Sequence, residues 1–288
     1  MTQATFGAPV LVDGPIPQPP PYSLLAVATL LPPSVDEDGG AEERWGQGGT
    51  IRPYSPNVPS GFDPCSEGTV RVKGSGTTTA TSTFGAFTAY VAETCTAFNI
   101  ISPANYSQRA LASMAGVESY AAEMQLMKGS YINTNPYICD ISATFPVGFA
   151  AISARAGLEG LENAIGATGR RGVIHADPAT ISAWSREFLV YEKQGKLVTA
   201  NGTLVISGDG YIGAVPLAHN AVPGSRQSWA FATGPVSYQR SAQLILLPER
   251  IDQALNRSNN SVTYRAERDY LVVWDRVLQA GVLIDRSI

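Results

Sequence analysis

Asn260-Ser261-Val262-Thr263-Tyr264-Arg265-Ala266-Glu267-Arg268-Asp269-Tyr270-Leu271-Val272-Val273-Trp274-Asp275 is the stretch whose reading decides the fold. Val262–Arg265 and Tyr270–Trp274 are rich in β-branched and aromatic residues and read as strands. Between and within them Arg265, Glu267, Arg268 and Asp269 alternate closely in sign. A second apolar run follows at Gly281-Val282-Leu283-Ile284. Charged residues in the middle of a β-rich segment can pair with the next copy of the chain, so these four are candidate contacts between subunits. Ahead of this stretch, Val236–Arg240 and Gln243–Leu247 read as further strands.

Moving upstream, the pattern changes from period two to period three and four. Ala110, Leu111, Met114, Val117, Ala121 and Met124 recur at helical steps after Ser102-Pro103, which fits a helix start. Glu118 and Glu123 are read as lying largely off this stripe, and Lys128-Gly129 closes it. The helix, over 103–129, is about 40 Å long at 1.5 Å per residue. A second helix is expected over Val147–Ala167 and a third over Ala179–Phe188, with a short buried strand at Gly172–Ala176 between them. Leu197–Ala200 and Thr203–Ile206 flank Asn201-Gly202, a strong hairpin signal.

The first part of the chain has another character. Pro15, Pro17, Pro19, Pro20 and Pro21 favour extended backbone, and Val35–Arg44 is acidic. Leu24, Leu25, Val27, Leu30 and Leu31 are too apolar for a solvated tail, so residues 1–46 read as an arm lying on a neighbour. Residues 47–98 are rich in Gly, Thr, Ser and Pro. Thr69–Lys73 alternates like a strand, Gly74-Ser75-Gly76 turns, and Thr77–Thr83 is β-prone, which reads as a long hairpin with little core of its own.

Charged residues are 15% of the 288, well below the usual quarter, which suits a surface largely covered by other subunits. The net charge of -4 and the lack of a basic run longer than Arg170-Arg171 argue against tight nucleic-acid binding. Cys65, Cys95 and Cys139 are odd in number and widely spaced. One disulfide with a free thiol or three reduced thiols fit, the latter better, and no zinc motif is present. Met1-Thr2-Gln3 has no basic start, so a secretory signal is not expected, and no apolar run reaches membrane-spanning length.

Candidate chemistry is sparse. His175 lies between a buried strand and Asp177-Pro178, with Ser182 nearby, and would be the base of a hydrolase if these converged. Within one strand-to-helix corner they point apart, and the expected role is a structural histidine bonded to a backbone carbonyl. Gly208-Asp209-Gly210-Tyr211-Ile212-Gly213 has no helix after it to make a phosphate cradle and reads as a tight turn. No catalytic residue, cofactor or metal is expected.

The order of parts resembles the major capsid protein of tailed phages, the Hong Kong 97-type fold that encapsulins share. Tyr106–Gly129 resembles the family's spine helix. Leu158–Ile165, Gly172–Pro178 and Trp184 resemble its apical-domain helix, strand and next helix, Gly208–Pro216 its strand and Gly-x-Pro turn, and Asn260–Asp275 its late peripheral strand. The resemblance implies an α+β chain with an N-terminal arm (1–46), an extended hairpin loop (47–98), a peripheral domain with the spine helix (99–149), an apical domain (150–229) and returning strands of both domains (230–288). It implies self-assembly into hexamers and pentamers of an icosahedral head that encloses double-stranded DNA without reading its sequence. The shell would be built in the host bacterial cytoplasm, with portal, decoration or scaffolding proteins as further partners and no membrane. An encapsulin-like compartment is the alternative, and a hydrolase using His175 a more distant one. Some relatives join subunits through a Lys–Asn bond. Lys73 is the one lysine of the hairpin region and a candidate subunit contact, but a matching Asn and acid are not identified, so no cross-link is expected.

Overall fold

The computed structural model describes residues 18, 20–31, 48–51, 81–96, 103–140, 144–219, 222–241, 245–247, 255–256, 258 and 261–287. In chain order the elements are α1 (Leu24–Val27), β1 (Thr29–Leu30), β2 (Gly49–Ile51), β3 (Ser82–Phe84), β4 (Phe87–Thr96) and the long α2 (Pro103–Lys128). There follow β5 (Ile152–Ser153), α3 (Ala154–Ala167), β6 (Val173–Ala176), α4 (Pro178–Arg186), β7 (Val190–Lys193), β8 (Lys196–Thr199) and β9 (Leu204–Ser207). The chain closes with β10 (Gln227–Thr233), β11 (Val236–Arg240), β12 (Ile245–Leu247), β13 (Leu255–Asn256), β14 (Ser261–Trp274) and β15 (Gln279–Asp285).

These strands form two principal sheets. In the first, β1, β11, β14 and β12 lie side by side, and β4 and β13 also pair with β14. In the second the order is β5-β15-β10-β6-β9-β8-β7. β2 and β3 form a small antiparallel pair. The returning strands divide between the two sheets: β10 and β15 pair in the second, β11 and β14 in the first.

The quoted stretch is one strand of 14 residues rather than two. The charges do not interrupt it because they follow its period of two. Arg265, Glu267 and Asp269 share one face with Thr88 and Tyr90 of β4, while Tyr264, Ala266, Arg268 and Tyr270 share the other, which packs on α2. β4 continues this sheet along ten consecutive residue pairs, so Phe87–Thr96 belongs to the sheet rather than to a hairpin with little core of its own. Thr69–Lys73 and the Gly74–Gly76 turn lie outside the described residues.

α2 ends where Gly129 takes φ +62 and its N–H returns to the Gln125 carbonyl at 3.0 Å. A side chain at Gly129 would also meet the Tyr137 ring at 2.9 Å. α3 starts at Ala154, seven residues later than the periodicity of 147–167 suggests. Ile152–Ser153 is held extended by parallel pairing with β15, and the Ser153 hydroxyl then caps the helix at the Ala156 N–H. Asp177 caps α4 in the same way at Thr180, with Pro178 in the first turn.

Each sheet carries a core. Met114, Ala121, Leu126 and Met127 of α2 pack with Leu24, Phe87, Tyr270 and Trp274 on the first. Leu24 and Val27 thus cover their own chain's core and Thr29–Leu30 pairs with its own β11, so the apolar run of 24–31 is not the part of the N-terminal segment that lies on a neighbour. Leu158, Leu161, Ile165 and the fully buried Trp184 pack with Ala230, Ala232, Val282 and Ile284 on the second. β10 faces both: Trp229 and Phe231 point into the first core, and Ala230 and Ala232 into the second. No described helix is long and apolar enough to cross a membrane.

Candidate functional site

α2 holds the chain together through two carboxylates. Glu118 faces the six-stranded sheet, where it meets Arg268 Nη1 at 3.0 Å, Arg240 Nη1 at 3.3 Å and the Tyr270 hydroxyl. Burial, and then the bond to Glu118, hold the Tyr270 phenol well above its usual range. Glu123 faces the other way and is buried. One oxygen accepts the Leu24 N–H and the other the Gly210 N–H, each at 3.0 Å, while Ser119 donates to Ser23 at 2.9 Å. A single helix thus ties the N-terminal segment, the turn after β9 and the first sheet together.

Neither carboxylate is off the helix's inner face, contrary to the sequence expectation. Glu118 lies four residues after Met114 and three before Ala121, and Glu123 four after Ser119 and three before Leu126, so strict helical spacing places both inward. Their charge, not their position, suggested exposure. The turn Gly208–Gly213 is explained by the same contact. Added side chains at Gly208 and Gly210 would meet Glu123 at 2.1 and 2.4 Å, so the free amide that a phosphate would need is given to a carboxylate of the chain itself.

His175 is fully buried, and its partners are two hydroxyls rather than a backbone carbonyl, which corrects the sequence reading. Nε2 is 2.9 Å from Thr233 Oγ1 and Nδ1 is 3.2 Å from the Tyr211 hydroxyl. Thr233 donates its own proton to the Gly234 carbonyl, so Nε2 carries the imidazole proton and Nδ1 accepts from Tyr211. Ser182 instead bonds the Pro178 carbonyl, and Asp177 caps α4 and faces Arg286 at 3.8 Å. The three side chains are not brought together. Cys139 is a buried free thiol pushed up to about 12 by its burial. Among the described residues no cluster of His, Cys, Asp and Glu could hold a metal.

Two of these buried groups titrate with opposite sign. Burial raises Glu123 to about 7, against the pull of the Leu24 and Gly210 amides. The folded chain holds that proton more tightly than the unfolded chain. Its stabilising effect is therefore complete below about pH 4.5 and is lost as pH rises to 7. Burial lowers His175 to about 3, so its effect is complete above about pH 6.5 and is lost as pH falls from there. Between pH 7 and 5 each shift is worth about 2 kcal/mol and the two nearly cancel. Relative to the parent, acidification over this range should stabilise the His175→Gln chain and destabilise the Glu123→Gln chain. Urea midpoints at both pH values check this, and a shift of the same sign in both variants would contradict it.

The charged residues singled out in β14 separate by face. Arg268 turns inward to Glu118, an intramolecular partner that local sequence does not reveal. Arg265 and Glu267 pair with each other at 3.0 Å on the outer face, where Arg265 also covers the Tyr90 ring at 5.7 Å. Asp269 accepts from Thr88 on the same face. Lys73 lies outside the described residues.

Three tyrosines of this region are largely exposed. Tyr90 of β4, Tyr120 of α2 and Tyr131 just after α2 are 64%, 46% and 48% exposed. Tyr131 stacks on Phe87 at 5.1 Å, and Phe87 stacks on Tyr270 at 5.7 Å. The Tyr131 phenol is raised above its ordinary value, by burial first and then by Tyr120 and Tyr90.

No family model and no curated protein matches this sequence. Solved structures do. The chain is similar to a structure of Gordonia phage Cozz, at 14% identity and a TM-score of 0.55, over 96% of this chain and 89% of that one. It is similar to a structure of Mycobacterium phage Ogopogo, at 15% identity and a TM-score of 0.54, over 98% and 96%. It is also similar to the capsid of an empty GTA particle, at 13% identity and a TM-score of 0.51, over 99% and 94%. The fold is that of the Hong Kong 97-like capsid proteins.

Proposed function

We propose that this chain is a major capsid subunit that assembles with copies of itself into the icosahedral head of a tailed phage. The observation that carries this reading is the fold, matched over nearly the whole chain by structures of two phages and of a GTA capsid and not over one domain alone. A structural rather than enzymatic role agrees with His175, whose two nitrogens are both taken by hydroxyls in the core. The first sheet with α2 corresponds to the peripheral domain and the second sheet with α3 and α4 to the apical domain, which would gather at capsomer centres. Arg265, Glu267 and Asp269 on the outer face of β14 are the proposed ion-pair contacts with a neighbouring subunit, and Lys73 is a further candidate. The shell would assemble in the host cytoplasm around double-stranded DNA held without sequence-specific contacts, beside a portal and decoration or scaffolding proteins.

Particle contents test this reading. Particles isolated from producing cells should release nuclease-protected double-stranded DNA on heating. A protein cargo in place of DNA would point to a nanocompartment instead, and turnover by a small soluble oligomer would overturn the shell reading.

A further inference from the structure

Phe188 breaks two rules at once. It follows α4 where the backbone turns left-handed, at φ +57. Its N–H returns to the Ser185 carbonyl at 3.1 Å, and the Leu189 N–H to the Trp184 carbonyl at 2.9 Å. These paired bonds make a helix stop that favours glycine, because any Cβ is strained there. The phenylalanine ring is nevertheless 89% exposed, so no burial within the subunit offsets the strain. A residue that breaks a local rule without a local gain points to a function. Phe188 stands just ahead of β7, which pairs only with β8 among the described residues and forms one edge of the second sheet.

The opposite edge of that sheet, at β5, carries an apolar surface. Val147, Phe149 and Leu217 are exposed, in the loops that lead to β5 and β10. The two loops meet where the Phe149 ring lies 5.2 Å from His219, and both rest on Trp229 through Phe145 and His219. Residues 141–154 and 210–225 contain no Asp, Glu, Lys or Arg, although they supply exposed loops. Beneath them the buried Trp229 Nε1 and His219 Nδ1 have no partner among the described residues. Exposed apolar loops without charge, over unpaired buried nitrogens, mark a surface that another molecule completes. An uncharged ring suits it, and a charged segment would lose its hydration there.

Both surfaces belong to one chain, yet a single subunit cannot join them. β5 and β7 end a seven-strand order and are about 30 Å apart at the usual strand spacing. A contact between opposite edges of one unit is head-to-tail, and its repetition closes into a ring. We propose that Phe188 of each subunit seats on the Val147, Phe149 and Leu217 surface of the next copy in a capsomer. The proposal rests on the shell reading and adds which two edges of the second sheet meet and through which side chains.

The test replaces Phe188 by photoreactive benzoylphenylalanine in the full chain and co-assembles it with isotope-labelled subunits lacking the probe. Irradiated particles should yield cross-links from position 188 to residues 145–151 or 214–219 of the labelled copies. Cross-links to another segment, exclusively to unlabelled chains or to nothing, in particles verified by microscopy, would overturn this proposal and leave the shell reading intact. A parent chain that forms no particles would overturn both. A second readout separates a contact between copies from a role inside one. Phe188→Gly relieves the strained backbone, so dissociated subunits should keep or raise their urea midpoint. Particles of the same variant should release subunits at least about tenfold faster, the factor that burying one phenylalanine ring is worth, or not form at all from the folded subunits. A lowered midpoint of the subunit, or release at the parent's rate, would overturn the proposal.

Discussion

Glu118→Ala is expected to destabilise the folded subunit by about 3–5 kcal/mol, read as the shift in urea midpoint at constant slope. The carboxylate has three partners, and its side chain and that of Arg268 are only 14% and 16% exposed. Removing it leaves Arg268 charged and largely dehydrated and the Tyr270 hydroxyl without its acceptor, and both effects act at the joint between α2 and the first sheet. Arg268→Ala should cost less, because Glu118 keeps Arg240 and Tyr270. Arg268→Lys should stay within about 1 kcal/mol of the parent, because the pair is made through one nitrogen, which an ammonium can replace. A Glu118→Ala chain as stable as the parent would show that α2 is held by apolar packing alone.

The second large effect is expected at the turn around Glu123. Gly210→Ala places a methyl 2.4 Å from Glu123 Cβ and 3.1 Å from the Met124 amide, atoms fixed by the helix. The turn must move away, which breaks the Gly210 bond and leaves half of a buried carboxylate unpaired, a cost of about 3 kcal/mol or more. Gly208→Ala meets only the far end of the Glu123 side chain and should cost less. Because the same carboxylate holds Leu24, Gly210→Ala should also loosen the N-terminal segment, seen as faster hydrogen exchange at Leu24–Ala28. Equal stability of the two glycine variants would contradict this ordering.

What could be read from the sequence was local. Helical period, Pro103 and Gly129 delimited α2 to within a residue, and Asn201-Gly202 marked the β8–β9 hairpin, whose strands pair antiparallel in the structure. What could not be read was mostly long-range. The late start of α3 depends on β15, more than 120 residues away, claiming Ile152–Ser153. β7 carries no local signal, because Tyr191, Glu192 and Lys193 are exposed on an edge and show no alternation of burial. The continuity of β14 through its charges rests on Glu118 opposite Arg268, a contact made across 150 residues. The inward positions of Glu118 and Glu123 are legible in the helical spacing of α2, although their charge points the other way. The pairing of His175 with Tyr211 and Thr233 joins three separate segments, and no local pattern signals it.

Assembly is the central claim, and electron cryomicroscopy of the purified 288-residue chain tests it most directly. The predicted result is closed icosahedral particles in which the long helix and both sheets of each subunit fit the density, with the outer face of β14 and the edge of β4 against neighbouring subunits. A protein that remains a monomer or small oligomer at all concentrations and salt conditions would contradict it.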